Sequence, residues 1–385
     1  MKNMGIKLYQ PHIPTIFGEG AINELGNAIR QIRRKKPLLI YGKGTKAAGI
    51  AEKAEKSLEK KDIEYVVFDH TKPDPDSTLV DEVVMKALSE SCDCVIGLGG
   101  GSNLDLAKAT SIMMGIRGKM SDILKDHAQF FDAAVPIILV PTTAGSGSEA
   151  TNAAVIINSK TGLKVPSLVN STLAIVDPEL TYSVSPGMTA MTGMDAFSHA
   201  VEGMLGIHVN ERVELYAVAS IKKIMKYLPI AVFDGGDKEA REQLAYASNW
   251  AGRVAFDSAP NLGHAMSEGF LQAKSLPHGL PCAWALPEVI SFAASHQPKQ
   301  IEKIAKAMGV FKEGENAKVL AENCAETVRG LMKKINIPTP QQQEIDKQKI
   351  MNNPQLKIVE KLGYPMGLSE NEAELLMIRA YDGYK

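Results

Sequence analysis

The chain has 385 residues, of which 45% are hydrophobic and 23% charged, and its formal net charge is −1. Two domains are expected at that length, and the composition is that of a soluble globular protein. The charge balance points to no nucleic-acid partner. No apolar run approaches the ~20 residues of a membrane span, and the first residues lack the apolar core of a signal peptide. Four cysteines make no disulfide framework. Cys92 and Cys94 read as small buried residues, and a reducing cytoplasm is the expected location.

The first half alternates apolar strands with amphipathic helices. Strands are predicted at 38–41, 65–68, 94–97 and 137–140, with shorter apolar runs at 155–157 and 173–176. Helical spacing covers 46–60, 77–91 and 103–115. The basic run 33–36 reads as a solvated helix end. This alternation indicates a parallel sheet covered by helices. After Asp177-Pro178 the periodicity is mostly helical, at 189–204, 211–227, 238–257, 298–309 and 316–334. Pro186-Gly187 marks a boundary, giving an α/β N-terminal domain over 1–185 and a helical one over 186–385.

Two loops carry a nucleotide signal. The strand at Cys94–Gly97 runs into Gly99-Gly100-Gly101-Ser102 and then a helix containing Asp105 and Lys108. Such a turn lets backbone approach a phosphate at a helix N-terminus, although its spacing is not Gly-x-Gly-x-x-Gly. The strand at 137–140 runs into Thr142, Thr143, Gly145, Ser146, Gly147, Ser148 and Glu149, a second polar loop where open α/β sheets bind ligands. Two such loops after neighbouring strands suggest an extended cofactor.

The second half carries a metal signal. Asp195 and His199 lie four apart on one helix face and can grip one ion. His264 lies in another helical stretch, and His278 stands between Pro277 and Gly279 in a turn. One carboxylate and three imidazoles suit Fe²⁺ or Zn²⁺, acting as a Lewis acid on an alcohol or carbonyl oxygen. His12, His70, His127, His208 and His296 read as ordinary packed or solvated histidines.

These motifs resemble the iron-containing (group III) alcohol dehydrogenases over nearly the whole length. The resemblance rests on Gly99–Ser102 with Asp105 and Lys108, Pro141–Thr143 through Glu149, and Asp177-Pro178. It continues in Gly193–Ala196 with His199 and Glu202, His264–Met266, and Pro277–Gly279. It implies an α/β NAD(P)-binding domain with a parallel sheet and an all-α C-terminal domain, of dehydroquinate synthase-like build, with the site in the cleft between them. Asp195, His199, His264 and His278 are then the metal ligands. The coenzyme residues are then Gly42, Lys43, Gly99, Gly100, Gly101, Ser102, Asp105, Thr142, Thr143, Ser146, Ser148 and Lys164.

Two departures from the family pattern stand out. Glu268 occupies the place where many members have a second histidine, four residues after the third ligand, and is the candidate acid or base. Gly42 stands where NAD-preferring members have an acidic residue, so NADP(H) is slightly favoured over NAD(H), with Lys43 as a favourable charge. The expected activity is a metal-dependent NAD(P)-linked alcohol dehydrogenase or aldehyde reductase on a small substrate. Arg253 and Lys274 are the candidate partners for an anionic substrate tail. A homodimer is the expected assembly. The competing readings are a metal-free enzyme like maleylacetate reductase, a cyclising synthase that borrows NAD, and a non-catalytic metal- or nucleotide-binding regulator.

Overall fold

The computed structural model describes residues 9–125 and 129–351, together with 356, 359, 364, 365 and 367–384. His127 lies outside them. Among the described residues, nine strands occur in the first half: β1 (Thr15–Phe17), β2 (Pro37–Ile40), β3 (Val66–Phe68), β4 (Cys94–Gly99), β5 (Gln129–Phe130), β6 (Ile137–Pro141), β7 (Ala153–Ile157), β8 (Lys164–Leu168) and β9 (Leu173–Val176). Six of them form one sheet in the order β1-β9-β6-β4-β2-β3, and every pairing in it is parallel. Its central strands β2, β4 and β6 are buried along their whole length, which is why they read as unbroken apolar runs. The remaining three form a small mixed sheet, β5-β8-β7.

In the parallel sheet β4 and β6 are neighbours, with Gly99 opposite Pro141. The glycine turn and the polar loop therefore leave the same sheet edge side by side. That edge is formed by the carboxyl ends of the strands, where open α/β sheets place their ligands.

From Pro186 onward the described elements are helices, in agreement with the periodicity. Ser185 caps the helix Pro186–Met204 by accepting from the Met188 amide, with Pro186 at its first position. Asn210 caps Glu211–Phe233 and Asp237 caps Lys238–Asp257 in the same way. Two further helices, Leu262–Ala273 and Gly279–Ala293, complete the surroundings of the site. The helix Pro186–Met204 is the axis of this half, buried at every residue from Gly193 to Met204. A helix apolar all round would suffice for such a place. This one carries Asp195, Ser198, His199 and Glu202 instead, and buried polar groups are the informative exception. None of the described helices is long and apolar enough to cross a membrane.

Candidate active site

At the end of β4, Gly99 adopts φ +147°, and a Cβ there would lie 2.0 Å from the Asn103 side chain. Only glycine permits that turn. The helix Gly101–Ile116 follows, with Gly100 as an N-cap that has no side-chain bond. Its first amides are therefore open to an anion. The Thr142 amide donates to Gly99 O at 3.0 Å, knitting the two loops together. Side chains at Gly100 and Gly101 would meet Thr143 and Ser146, respectively. Ser102 accepts from the Asp74 amide, and Asp74 pairs with Lys164 at 3.0 Å, so Lys164 of β8 is brought to the same mouth.

Asp105 and Ser148 are placed differently from the other coenzyme candidates. Ser148 Oγ donates to Asp105 at 2.7 Å and accepts from Lys108 Nζ at 2.9 Å. The second Asp105 oxygen accepts from the Val155 amide. Lys108 also donates to Thr151 Oγ1 and Ala153 O, and burial lowers its pKa to about 8. These side chains spend their bonds beneath the loop and hold its shape. Asp177 is likewise used structurally, accepting from the amides of Gly20, Ile22 and Glu179.

Gly42 precedes the short helix Lys43–Ala47 at the end of β2. A side chain there would meet Thr71 Oγ1 at 2.6 Å and then Asn103. Thr71 donates to Asn103 at 2.6 Å. The groups beside Gly42 are thus a neutral hydroxyl and amide.

Four helical-half side chains converge on one point. Asp195 comes from Pro186–Met204, His264 from Leu262–Ala273, and His278 caps the start of Gly279–Ala293, which also supplies Cys282. One donor atom from each lies within 4.8 Å of the others. His264 Nε2 and His278 Nε2 are each 3.8 Å from Asp195 Oδ1. Cys282 Sγ is 3.9 Å from His264 Nε2 and 3.6 Å from His278 Nε2. His199 stands beside this group, its ring stacked on His264 with centroids 4.7 Å apart. Three of the four ligands expected from the sequence thus meet directly, with His199 adjacent and Cys282 added.

Glycine sets the spacing of these helices. A Cβ on Gly279 would lie 2.0 Å from Met191 O and 3.1 Å from Asp195 Cβ. That bare crossing brings His278 against Asp195. The polar loop is locked to the same helix, because a Cβ on Gly145 would be 2.5 Å from Thr192 Cβ. Thr192 precedes Asp195 by three residues, so the polar loop touches the helix that carries the carboxylate.

Electrostatics in the cluster favour a cation. Asp195 is 5% exposed, and its Oδ1 has no hydrogen-bond partner; neither has the buried His199 Nδ1. Burial opposes the charge on Asp195, but His199, His278 and His264 outweigh it and hold its carboxyl below the ordinary range. Burial pushes His199 down to about 4, leaving a neutral imidazole with a free lone pair. Burial would also lower His278, yet Cys282 and Asp195 raise it to about 9. Asp195 and Cys282 draw positive charge to this point, and a divalent cation would meet the same demand.

A functional group that the sequence reading left without a role is Glu202. It is fully buried, and its Oε1 accepts from His264 Nδ1 at 2.7 Å. Its Oε2 accepts from the amides of Asn261, Gly263 and His264. One carboxylate thus caps the His264 helix and fixes the ring so that Nε2 presents its lone pair to the cluster. The signal was present: Glu202 lies seven residues after Asp195 and three after His199, on one helix face.

Glu268 follows His264 by one helical turn and is half-buried, as His264 is. Arg253 and Lys274 are engaged elsewhere. Arg253 donates to Asn249 and Thr15, and Lys274 to Gln343 O. Both side chains thus already hold hydrogen-bond partners within the protein.

Residues 14–178 match the family model described as iron-containing alcohol dehydrogenase. Residues 189–366 match that of the Fe-containing alcohol dehydrogenase family, C-terminal. The chain is 32% identical over 373 residues to NAD-dependent methanol dehydrogenase of Bacillus methanolicus, covering 96% of this chain and 91% of that one. It is 33% identical over 344 residues to 1,3-propanediol dehydrogenase of Citrobacter freundii, covering 87% and 88%. The solved alcohol dehydrogenase from Oenococcus oeni has the same fold, with a TM-score of 0.91 at 27% identity over 97% of this chain and 100% of that one. This chain belongs to the iron-containing alcohol dehydrogenase family.

Proposed function

We propose that this protein interconverts a small alcohol and its aldehyde, with the alcohol carbon facing the point where Gly145 meets Thr192. That contact carries the reading, because it sets the coenzyme loop three residues from Asp195. On this reading a nicotinamide dinucleotide would supply the hydride chemistry. Gly99–Ser102 and the open helix start would hold its phosphates, with Thr142, Thr143, Ser146 and Lys164 around them. Asp105 and Ser148 support the loop from below. Asp195, His199, His264 and His278 hold the metal, which supplies a Lewis acid to the substrate oxygen. Glu202 orients His264, and Glu268 is positioned to accept or return the alcohol proton. The orphaned Asp195 Oδ1 and His199 Nδ1 speak against a metal-free reductase, since buried polar atoms left bare are costly. We place the boundary between the two domains at residues 185 and 186.

The experiment is removal of metal. The chelator-treated protein is expected to lose alcohol oxidation and aldehyde reduction while keeping its circular dichroism, and Fe²⁺ or Zn²⁺ should restore both. Undiminished turnover by protein shown by elemental analysis to be metal-free would overturn the reading.

The phosphate form of the coenzyme is a finer matter. The Bacillus methanolicus relative is named for NAD. The neutral Thr71–Asn103 pair beside Gly42 neither repels nor strongly attracts a 2′-phosphate. We propose that the site accepts NADP(H) as well as NAD(H), a weaker discrimination than the missing carboxylate alone suggested. Gly42→Asp should lower the kcat/KM ratio of NADPH to NADH by about tenfold or more, because a carboxylate would face the 2′-phosphate. The new side chain must displace the Thr71 hydroxyl from its hydrogen bond to Asn103. An unmoved ratio would remove Gly42 from the adenosine ribose site.

A further inference from the structure

We propose that Cys282 supplies a sulfur ligand to the metal and that this sulfur raises the site's affinity for zinc relative to iron. The inference builds on the metal reading above and goes beyond its aspartate and histidines.

Geometry carries it. In a tetrahedral zinc site, nitrogen and oxygen ligands lie about 3.3 Å apart, and nitrogen and sulfur about 3.6 Å, given bonds near 2.0–2.1 and 2.3 Å. The two imidazole nitrogens here are each 3.8 Å from Asp195 Oδ1. Cys282 Sγ is 3.9 and 3.6 Å from the same nitrogens. The nitrogen–sulfur separations are therefore within about 0.3 Å of coordination and the nitrogen–oxygen ones within about 0.5 Å, so the sulfur is as well placed as the carboxylate. The second observation is independent of the cysteine: Asp195 Oδ1 is buried, lacks any hydrogen-bond partner and points into the same group.

Local structure holds the thiol there. Cys282 is four residues after His278, in the first turn of the helix Gly279–Ala293, so the two side chains share a face. It is 1% exposed and unpaired with any other cysteine. On metal binding the thiol proton leaves to solvent and the thiolate becomes the donor. Thiolate is a soft ligand that favours zinc over the harder ferrous ion. His199, stacked beside His264, remains available as a further nitrogen donor.

The test uses full-length protein stripped of metal and loaded with Co²⁺. The parent should bind one equivalent and show an intense near-ultraviolet sulfur-to-cobalt band. Cys282→Ser should still bind Co²⁺ but lack that band, and its preference for Zn²⁺ over Fe²⁺, read by competition, should fall by about tenfold or more. His264→Ala serves as the control for the site itself. If the parent binds no Co²⁺, or His264→Ala binds it unchanged, the metal reading fails. If the parent binds Co²⁺ without the band, or Cys282→Ser keeps both band and preference, the sulfur assignment alone is overturned. Cys282→Ala repeats the comparison without a hydroxyl donor, so that a misfolded serine variant would not leave the question open.

Discussion

Glu202→Gln should leave the protein folded yet weaken its hold on metal by about 10–100-fold, the usual cost of losing a partner that orients a ligating histidine. The parent carboxylate accepts a hydrogen bond from His264 Nδ1 at 2.7 Å, which leaves Nε2 as the nitrogen toward Asp195 and Cys282 that would give up its proton to a metal. Glutamine can keep its oxygen on the amides of Asn261, Gly263 and His264, but its NH₂ then faces Nδ1. The imidazole proton moves to Nε2, and a protonated nitrogen cannot bind a metal. Glu202→Ala should behave worse, because three buried amide donors lose their acceptor at about 1–3 kcal/mol each. Metal affinity by chelator competition, beside a thermal melt, separates the two effects. A glutamine variant that binds metal as tightly as the parent would remove Glu202 from its orienting role.

The sign of the pH response follows from the same contacts. Burial would raise the Glu202 carboxyl, but the His264 charge and hydrogen bond, with the backbone amides, bring it below its ordinary 4.5. A depressed folded-state value means that its contribution is complete at neutral pH and lost as the pH falls below that range. The glutamine variant should lack this portion of the acid sensitivity.

Much of this site was legible because its ligands repeat at helical spacing. Asp195 and His199 sit four apart on one buried helix, although His199 stands beside the group that Asp195 joins. The strands β2, β4 and β6 were legible for a related reason, since each is buried on both faces and reads as one apolar run. β1 escaped notice because it has only three residues, and β8 because it carries Pro166 and alternates half-buried with buried residues. The helix Gly279–Ala293 was hidden by Pro281 and Pro287, residues that normally argue against a helix interior. Pro281 falls in its first turn, where an amide has no partner to lose. Had that helix been read, Cys282 would have stood four residues from His278 on one face. Glu202 could be placed on the same helix face from its spacing, but not its partners, which begin 59 residues later in the chain.

Gly279→Ala should empty the metal site without touching a ligand. The added methyl would lie 2.0 Å from Met191 O and 2.8 Å from its carbonyl carbon. Those are backbone atoms in the middle of a buried helix, so neither can swing aside as a side chain would. The two helices must part, and overpacking of this kind typically costs about 1–3 kcal/mol, sometimes more. The functional cost is larger than the stability cost. Asp195 rides on one helix, while His278 and Cys282 belong to the other, so the movement widens the 3.8 Å separation between Asp195 Oδ1 and His278 Nε2. A site of this kind tolerates roughly 0.5 Å of misplacement. The variant is therefore expected to melt several degrees lower, to carry almost no metal by elemental analysis, and to lose alcohol oxidation that excess Zn²⁺ or Fe²⁺ does not restore. Gly330→Ala, where an added Cβ meets nothing within 4 Å, provides the matched control and should keep its metal. A Gly279→Ala protein with full metal content would mean that the helix crossing does not set the ligand spacing.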